Sequence, residues 1–217
     1  MNIILLAPPA AGKGTQAELL DEKYHLNHIS TGDLLRNAAS REDDFGKKLK
    51  EIMASGALVS DEIVLEMLED HLEKSTNHNL LFDGFPRTIH QAELLDEMLE
   101  KKNDKINYVF LLDVEEDILK KRITGRRICG KCNSVYNVNI EALNPKQENV
   151  CDKCGEKLYQ RVDDNEESFK IRYQEYLEKT SPLINYYQES QKLYRIDSNQ
   201  KKEVVFDSIC KIIENNK

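Results

Sequence analysis

Apolar residues along this chain follow two rhythms. Short runs dominated by Ile, Leu and Val, at 2–6, 26–29, 80–82, 108–112 and 193–196, read as buried strands. Between them lie longer charged segments with apolar positions at helical spacing, at 15–23, 61–74, 89–102, 115–124, 166–179, 182–189 and 203–213. Strand alternating with helix predicts an α/β fold, a parallel five-stranded sheet wrapped by helices, with a core at Ile3, Leu5, Phe82, Val109 and Leu111. Start signals agree with this reading. Ser60 precedes an acidic first turn, and Thr88 with Gln91 three residues on fits a capping box. Residues 125–162 break the rhythm: they hold four of the five cysteines and no helical pattern, which predicts an inserted minidomain. There is no internal repeat and no low-complexity tract.

The length of 217 residues and mass of 25.1 kDa suffice for one domain, or one domain plus an insertion. No apolar run approaches the roughly 20 residues of a membrane helix. The apolar start at 3–7 follows no positive charge and is shorter than a signal-peptide core, so the expected location is the cytoplasm. Charged residues make up 32% and hydrophobic residues 40%, which argues against wholesale disorder. The net charge of −8 argues against a protein that mainly grips nucleic acid, whose backbone is held by clustered Lys and Arg. A small anionic ligand in a local basic pocket remains compatible with it. Five cysteines without an export signal point to metal or free thiols rather than disulfides.

After the first strand comes Ala7-Pro8-Pro9-Ala10-Ala11-Gly12-Lys13-Gly14-Thr15, leading into a helix. Strand, small-residue loop and helix N-terminus together aim backbone N–H groups and a positive dipole end at one point, as a phosphate requires. Lys13 would reach the terminal phosphates. The general P-loop pattern has Gly at position 7 and Ser or Thr at position 14, where this chain has Ala and Gly. Two further segments, Thr31-Gly32-Asp33-Leu34-Leu35-Arg36 and Asp83-Gly84-Phe85-Pro86-Arg87, follow the second and third strands, at the carboxyl edge where parallel sheets bind ligands. Arg122, Arg126 and Arg127 lie near a helix end, and Arg161 and Arg172 flank Asp163-Asp164.

Taken together, Lys13-Gly14-Thr15-Gln16, Asp83-Gly84-Phe85-Pro86-Arg87 and Gly125-Arg126-Arg127 at these separations resemble the adenylate kinase family, along the whole chain. The cysteine-bearing insertion is similar to its long-lid, zinc-bearing bacterial type. The resemblance implies a core of 1–124 and 163–217, within which 30–59 forms a mobile AMP-binding segment, and a lid at 125–162. It implies ATP at Ala10, Ala11, Gly12, Lys13, Gly14 and Thr15, with Arg122, Arg126, Val135, Tyr136 and the backbone at Gln200. AMP would be held by Thr31, Arg36, Ala57, Leu58, Val59, Gly84, Phe85, Pro86, Arg87, Gln91, Arg161 and Arg172. Lys13, Arg36, Arg87, Arg126, Arg161 and Arg172 would carry the catalysis, and Asp83 would orient magnesium through its water shell. The implied reaction converts ATP and AMP reversibly to two ADP, in a monomer without nucleic-acid or membrane partners.

The chemistry of such a reaction matches these residue types. Phosphoryl transfer between nucleotides is stabilised mainly by positioning and cations, and an acceptor phosphate with a second pKa of about 6 is already an anion at neutral pH. No general base is needed, and no Ser-His-Asp or Cys-His pairing is evident among His25, His28, His71, His78 and His90. A lid would keep water from the phosphoryl group. Plainer readings are a helix cap for Gln91 and a turn former for Asp83.

Cys129-x2-Cys132 and Cys151-x2-Cys154, separated by 18 residues, have the spacing of a four-cysteine zinc site. Four thiolates close a tetrahedron, so one structural metal per chain is expected, in a segment with almost no core of its own. Iron is the chemical alternative. Cys210, beside Ile209, Ile212 and Ile213, reads as a packing residue. Ala7 and Ala10 stand where the family ordinarily shows Gly, and either would be strained if its backbone had to be left-handed. Two rival functions share these features: a kinase using GTP as donor or another monophosphate as acceptor, and a zinc-ribbon binding module with the P-loop as a switch. The acidic charge and the lack of an Asn-Lys-x-Asp guanine-reading motif count against the latter.

Overall fold

The computed structural model describes residues 1–74 and 79–216, so His78 lies outside the described residues. Strands β1 (Ile3–Leu6), β2 (Asn27–Ser30), β3 (Leu80–Asp83), β4 (Tyr108–Asp113) and β8 (Leu193–Asp197) form a parallel sheet in the order β2-β3-β1-β4-β8. Every residue of β1 is buried, as expected of a strand covered on both faces. Period-two alternation sends Ile3 and Leu5 to one face and Ile4 and Leu6 to the other. The expected single core is therefore two layers. Ile3 and Leu5 pack with α1 (Lys13–Tyr24), α6 (Glu116–Gly125) and α9 (Lys202–Asn215) through Leu20, Ile123 and Ile209. Phe82, Val109 and Leu111 pack on the other face with α4 (Asp61–Lys74), α5 (Ile89–Lys101) and α8 (Pro182–Glu189) through Leu68, Leu95 and Tyr187. Cys210 is buried in α9.

Three departures from the pattern have local causes. The segment 30–59 contains two helices the apolar rhythm did not announce, α2 (Thr31–Ala39) and α3 (Asp44–Ser55). Both carry side-chain caps, Ser30 Oγ accepting from Asp33 N at 3.3 Å and Asp43 Oδ1 accepting from Gly46 N at 2.8 Å. Next, α7 (Glu166–Glu175) gives way to a π turn at Tyr176–Thr180, closed by Ser181 N donating to Tyr176 O at 2.8 Å. Finally, Thr88 Oγ1 caps α5 by accepting from Gln91 N, but the Gln91 side chain accepts from Arg87 N instead of returning to Thr88, so the box is displaced by one residue.

The insertion is a small antiparallel sheet, β6-β5-β7, made of β5 (Arg126–Cys129), β6 (Val135–Asn137) and β7 (Leu158–Tyr159), with one 3-10 turn at Glu141–Leu143. Its buried centre is Cys129, Cys151 and Leu158, with Tyr136 packed against them. No helix among the described residues is long and apolar enough to cross a membrane.

Candidate active site and metal centre

The loop after β1 places Lys13 at the first position of α1, so its N-terminal N–H groups face outward from the carboxyl edge of the sheet. Gly12 reaches φ 99° and Ala10 φ 65°, whereas Ala7 is not left-handed. The strain expected of an alanine in this loop therefore falls on Ala10 alone. Lys13 Nζ donates to Ala7 O at 3.1 Å. Burial lowers the Lys13 pKa to about 8, with Asp83 opposing that and Arg87, Arg172 and Arg126 adding to it.

Asp83 ends β3 beside this loop: a Cβ at Gly14 would lie 3.8 Å from Asp83 Oδ2. Burial alone would raise its pKa, but the neighbouring His28 and the Lys13 charge outweigh that and hold it low. His28 Nε2 lies 3.6 Å from Asp83 Oδ2, a pairing hidden in the sequence, where the two residues are 55 apart. Burial works against the charged imidazole, yet Asp83 raises the His28 pKa.

Arginines from separate elements converge here. Arg36 of α2 pairs with Asp33 at 2.6 Å. Arg87 Nε donates to Gly84 O at 2.8 Å, and Thr31 Oγ1 donates to the same oxygen at 2.9 Å. Arg126 grips buried Asp164 through both Nε and Nη2, and Arg172 Nη1 lies 2.8 Å from Asp163 Oδ2. Arg161 Nε is buried without a hydrogen-bond partner. Burial, with Arg36 and Arg126 adding to it, lowers Arg161 to about 10. Burial also lowers Arg172 to about 10, against the pull of Asp163. Such crowding of buried cations favours an anion among them.

Arg122 takes a different part. Its Nη1 donates to Ala11 O at 3.3 Å and its Nη2 to Ser198 O at 3.0 Å, while Ser198 Oγ donates to Ala11 O at 3.1 Å. Arg122 and Ser198 thus brace the phosphate loop from behind, and Ser198 is a residue the motifs did not announce. Gln200 follows in the same β8–α9 connection, held by Asp197 at 3.0 Å. Arg127 turns back onto Arg126 O, its Nη1 donating at 2.8 Å.

A small pocket beside the loop is lined by Thr31, Leu58, Val59, Gly84, Arg87 and Gln91, closed by Leu35 and Val64. Ala57 is exposed at its rim. Phe85 is 1% exposed and packs 6.4 Å from the Phe82 ring, so its side chain belongs to the core and not to the pocket; Pro86 follows it through a cis bond. In the insertion Val135 is exposed, while the Tyr136 hydroxyl turns to the cysteines.

Those cysteines make a metal centre in outline. The Sγ atoms of Cys129, Cys132, Cys151 and Cys154 all lie within 4.8 Å of one another. Tyr136 Oη lies 3.5 Å from Cys151 Sγ and accepts from Asp152 N at 2.8 Å, and its hydrogen bond favours the Cys151 thiolate. Four converging sulfurs fit a tetrahedral soft-ligand ion and leave no position open for substrate.

The family model for adenylate kinase matches residues 5–192. An adenylate kinase of Clostridium tetani is 45% identical over 214 residues, 98% of each chain. One from Archaeoglobus fulgidus is 46% identical over 215 residues, covering 99% of this chain and 98% of its own. One from Kosmotoga olearia is 44% identical over 216 residues, 99% of this chain and all of its own. With the phosphate loop, the arginine cluster and the cysteine-bearing insertion in the places described, and a match running the length of the chain, this protein belongs to the adenylate kinase family.

Proposed function

We propose that the chain is a nucleoside monophosphate kinase that transfers the terminal phosphoryl group of ATP to AMP, reversibly, giving two ADP. The observation that carries this reading is the convergence of Lys13 with Arg87, Arg126 and Arg172 between the phosphate loop and the Thr31–Gln91 pocket, close enough that the three guanidinium charges disfavour the charged form of Lys13. ATP lies along residues 10–15, with Arg122, Arg126, Val135, Tyr136 and the backbone at Gln200. AMP occupies the pocket, with Arg36, Arg161 and Arg172 at its phosphate. An oxygen of the AMP phosphate attacks the γ-phosphorus, and the bond from that phosphorus to the bridging oxygen of ADP breaks. No proton need move, and the cations spread the charge of the transferring group.

Asp83, ionised and facing the loop, is suited to hold magnesium through water, which supplies charge neutralisation when it accompanies ATP. Zinc is the ion we assign to the four thiolates, as a structural clamp for the lid at 125–162. The segment 30–59 and that lid act as moving parts on the remaining core, and on closing exclude water from the site. We take the protein to be a cytoplasmic monomer working on free nucleotides.

The test is a coupled ADP assay against a panel of nucleoside triphosphates and monophosphates. ATP with AMP should give the highest kcat/KM, dependent on magnesium. Lys13→Met should lower kcat by on the order of a hundredfold or more while the protein stays folded, with a melting temperature no lower than that of the parent. Turnover like that of the parent in a folded Lys13→Met protein would refute the role of Lys13, and a better rate with GTP or with another monophosphate would reassign the substrates.

A further inference from the structure

The pocket beside the phosphate loop contains one amide, and both ends of that amide are tied. Gln91 is 3% exposed and sits in the first turn of α5. Its Oε1 accepts from the backbone N–H of Arg87 at 2.7 Å, and its Nε2 donates to Asp61 Oδ1 at 2.6 Å. A backbone N–H only donates and a carboxylate only accepts, so the two ends cannot be exchanged. Turning the amide over would set NH2 against N–H and C=O against the carboxylate, two buried mismatches. Asp61 is held in turn, because its Oδ2 accepts from Thr88 Oγ1 at 3.2 Å, the same hydroxyl that caps α5. As the first residue of α4 it also gains from the helix dipole.

An amide fixed in this way still has one N–H and one lone pair to offer. A 6-aminopurine presents an amino donor at position 6 and an acceptor at N1, which one orientation of an amide meets at both atoms. A 6-oxopurine presents an acceptor at position 6 and a donor at N1, so the same orientation opposes it twice. A free amide would turn to suit either. We propose that Asp61 is a positioning residue that locks the Gln91 amide and thereby makes the acceptor pocket select a 6-aminopurine monophosphate over a 6-oxopurine one. This rests on the reading of Gln91 as part of the monophosphate site.

Asp61→Asn decides it, because the new side chain can turn either its oxygen or its NH2 toward Gln91. With ATP as donor, the ratio of kcat/KM for AMP to kcat/KM for inosine monophosphate should fall by roughly tenfold or more, with KM for ATP unchanged. Asp61→Ser, whose hydroxyl also donates or accepts, should behave the same way if Asn disturbs the start of α4. Gln91→Leu separates the two layers of inference. If it leaves KM for AMP unchanged, Gln91 does not read the base and the underlying assignment fails. If it raises KM for AMP while folded Asp61 variants keep the parent ratio, Gln91 reads the base unaided and the lock is refuted. Unfolding of both Asp61 variants would likewise overturn the proposal, by making Asp61 a stability residue.

Discussion

At the scale of single residues, the phosphate loop shows how one side chain shifts an energy balance. A residue with a Cβ held in the left-handed region costs about 1 to 2 kcal/mol relative to its preferred conformations, and Ala10 is held at φ 65°. Glycine there removes that cost, and its extra freedom in the unfolded chain returns part of it, about 0.5 to 1 kcal/mol. Ala10→Gly should therefore be slightly more stable than the parent, and should bind ATP more tightly or turn over faster because the loop reaches its phosphate-binding shape without strain. Titration of ATP into both proteins, with their initial rates, checks this. Equal affinity and equal rate would mean that the loop accepts alanine at no functional cost. At position 7 the same change should bring no such gain, since Ala7 lies outside the left-handed region.

At the scale of elements, the insertion is the part least able to stand alone. Three short strands enclose a centre made largely of Cys129, Cys151 and Leu158, so the apolar area that usually drives folding is nearly missing. A metal bound by the four cysteines only in the folded arrangement would supply the difference. Removing one ligand with Cys132→Ser should loosen the lid, release metal at modest chelator concentrations and lower or split the thermal transition by roughly 5 to 10 °C. The sheet domain should stay folded on its two buried layers, and part of the activity should survive at low temperature because Arg126 and Arg161 belong to the chain. Metal analysis of the parent with well under one ion per chain, or a melting curve indifferent to chelation, would sink this view. The elements also explain what periodicity missed. Gly32 and Gly46 fall in the first turns of α2 and α3 and lower helix propensity there, although both helices are amphipathic and begin at the side-chain caps Ser30 and Asp43. The π turn after α7 lets Thr180 donate to Arg87 O at 3.0 Å, a contact whose demand arises across the fold.

For the molecule as a whole, an acidic chain with net charge −8 has assembled a basic site from five distant segments. Lys13 titrates near 8 in the folded protein against an ordinary value of 10.5, first through burial and then through Arg87, Arg172 and Arg126. Between those two pH values the unfolded chain binds more protons, so the contribution of this group to stability rises with pH across that window. An anionic nucleotide favours the charged ammonium. Stabilisation by ATP should accordingly be full below pH 8 and shrink above it, with affinity falling by up to about tenfold per pH unit. The rise in melting temperature on adding ATP at pH 7 and at pH 9.5 measures this, and Lys13→Arg should flatten the difference. An equal rise at both values in the parent would show that Lys13 keeps its proton throughout.

The sequence by itself determined the members of the sheet, most of its helices, the phosphate loop and the four cysteines, because each is written in contiguous residues through spacing, periodicity or a turn. Only the tertiary structure decided the order β2-β3-β1-β4-β8, which brings Asp83 beside Gly14 and His28 beside Asp83. It also decided that Arg126 and Arg172 rest on Asp164 and Asp163, that Arg122 and Ser198 brace the loop, and that Asp61 holds Gln91 across 30 residues. Such contacts depend on which helix packs against which strand, a choice made by burial over the entire chain. A residue's own neighbours in sequence hold no record of it, which is why candidate site residues could be proposed from motifs and their partners across the fold could not.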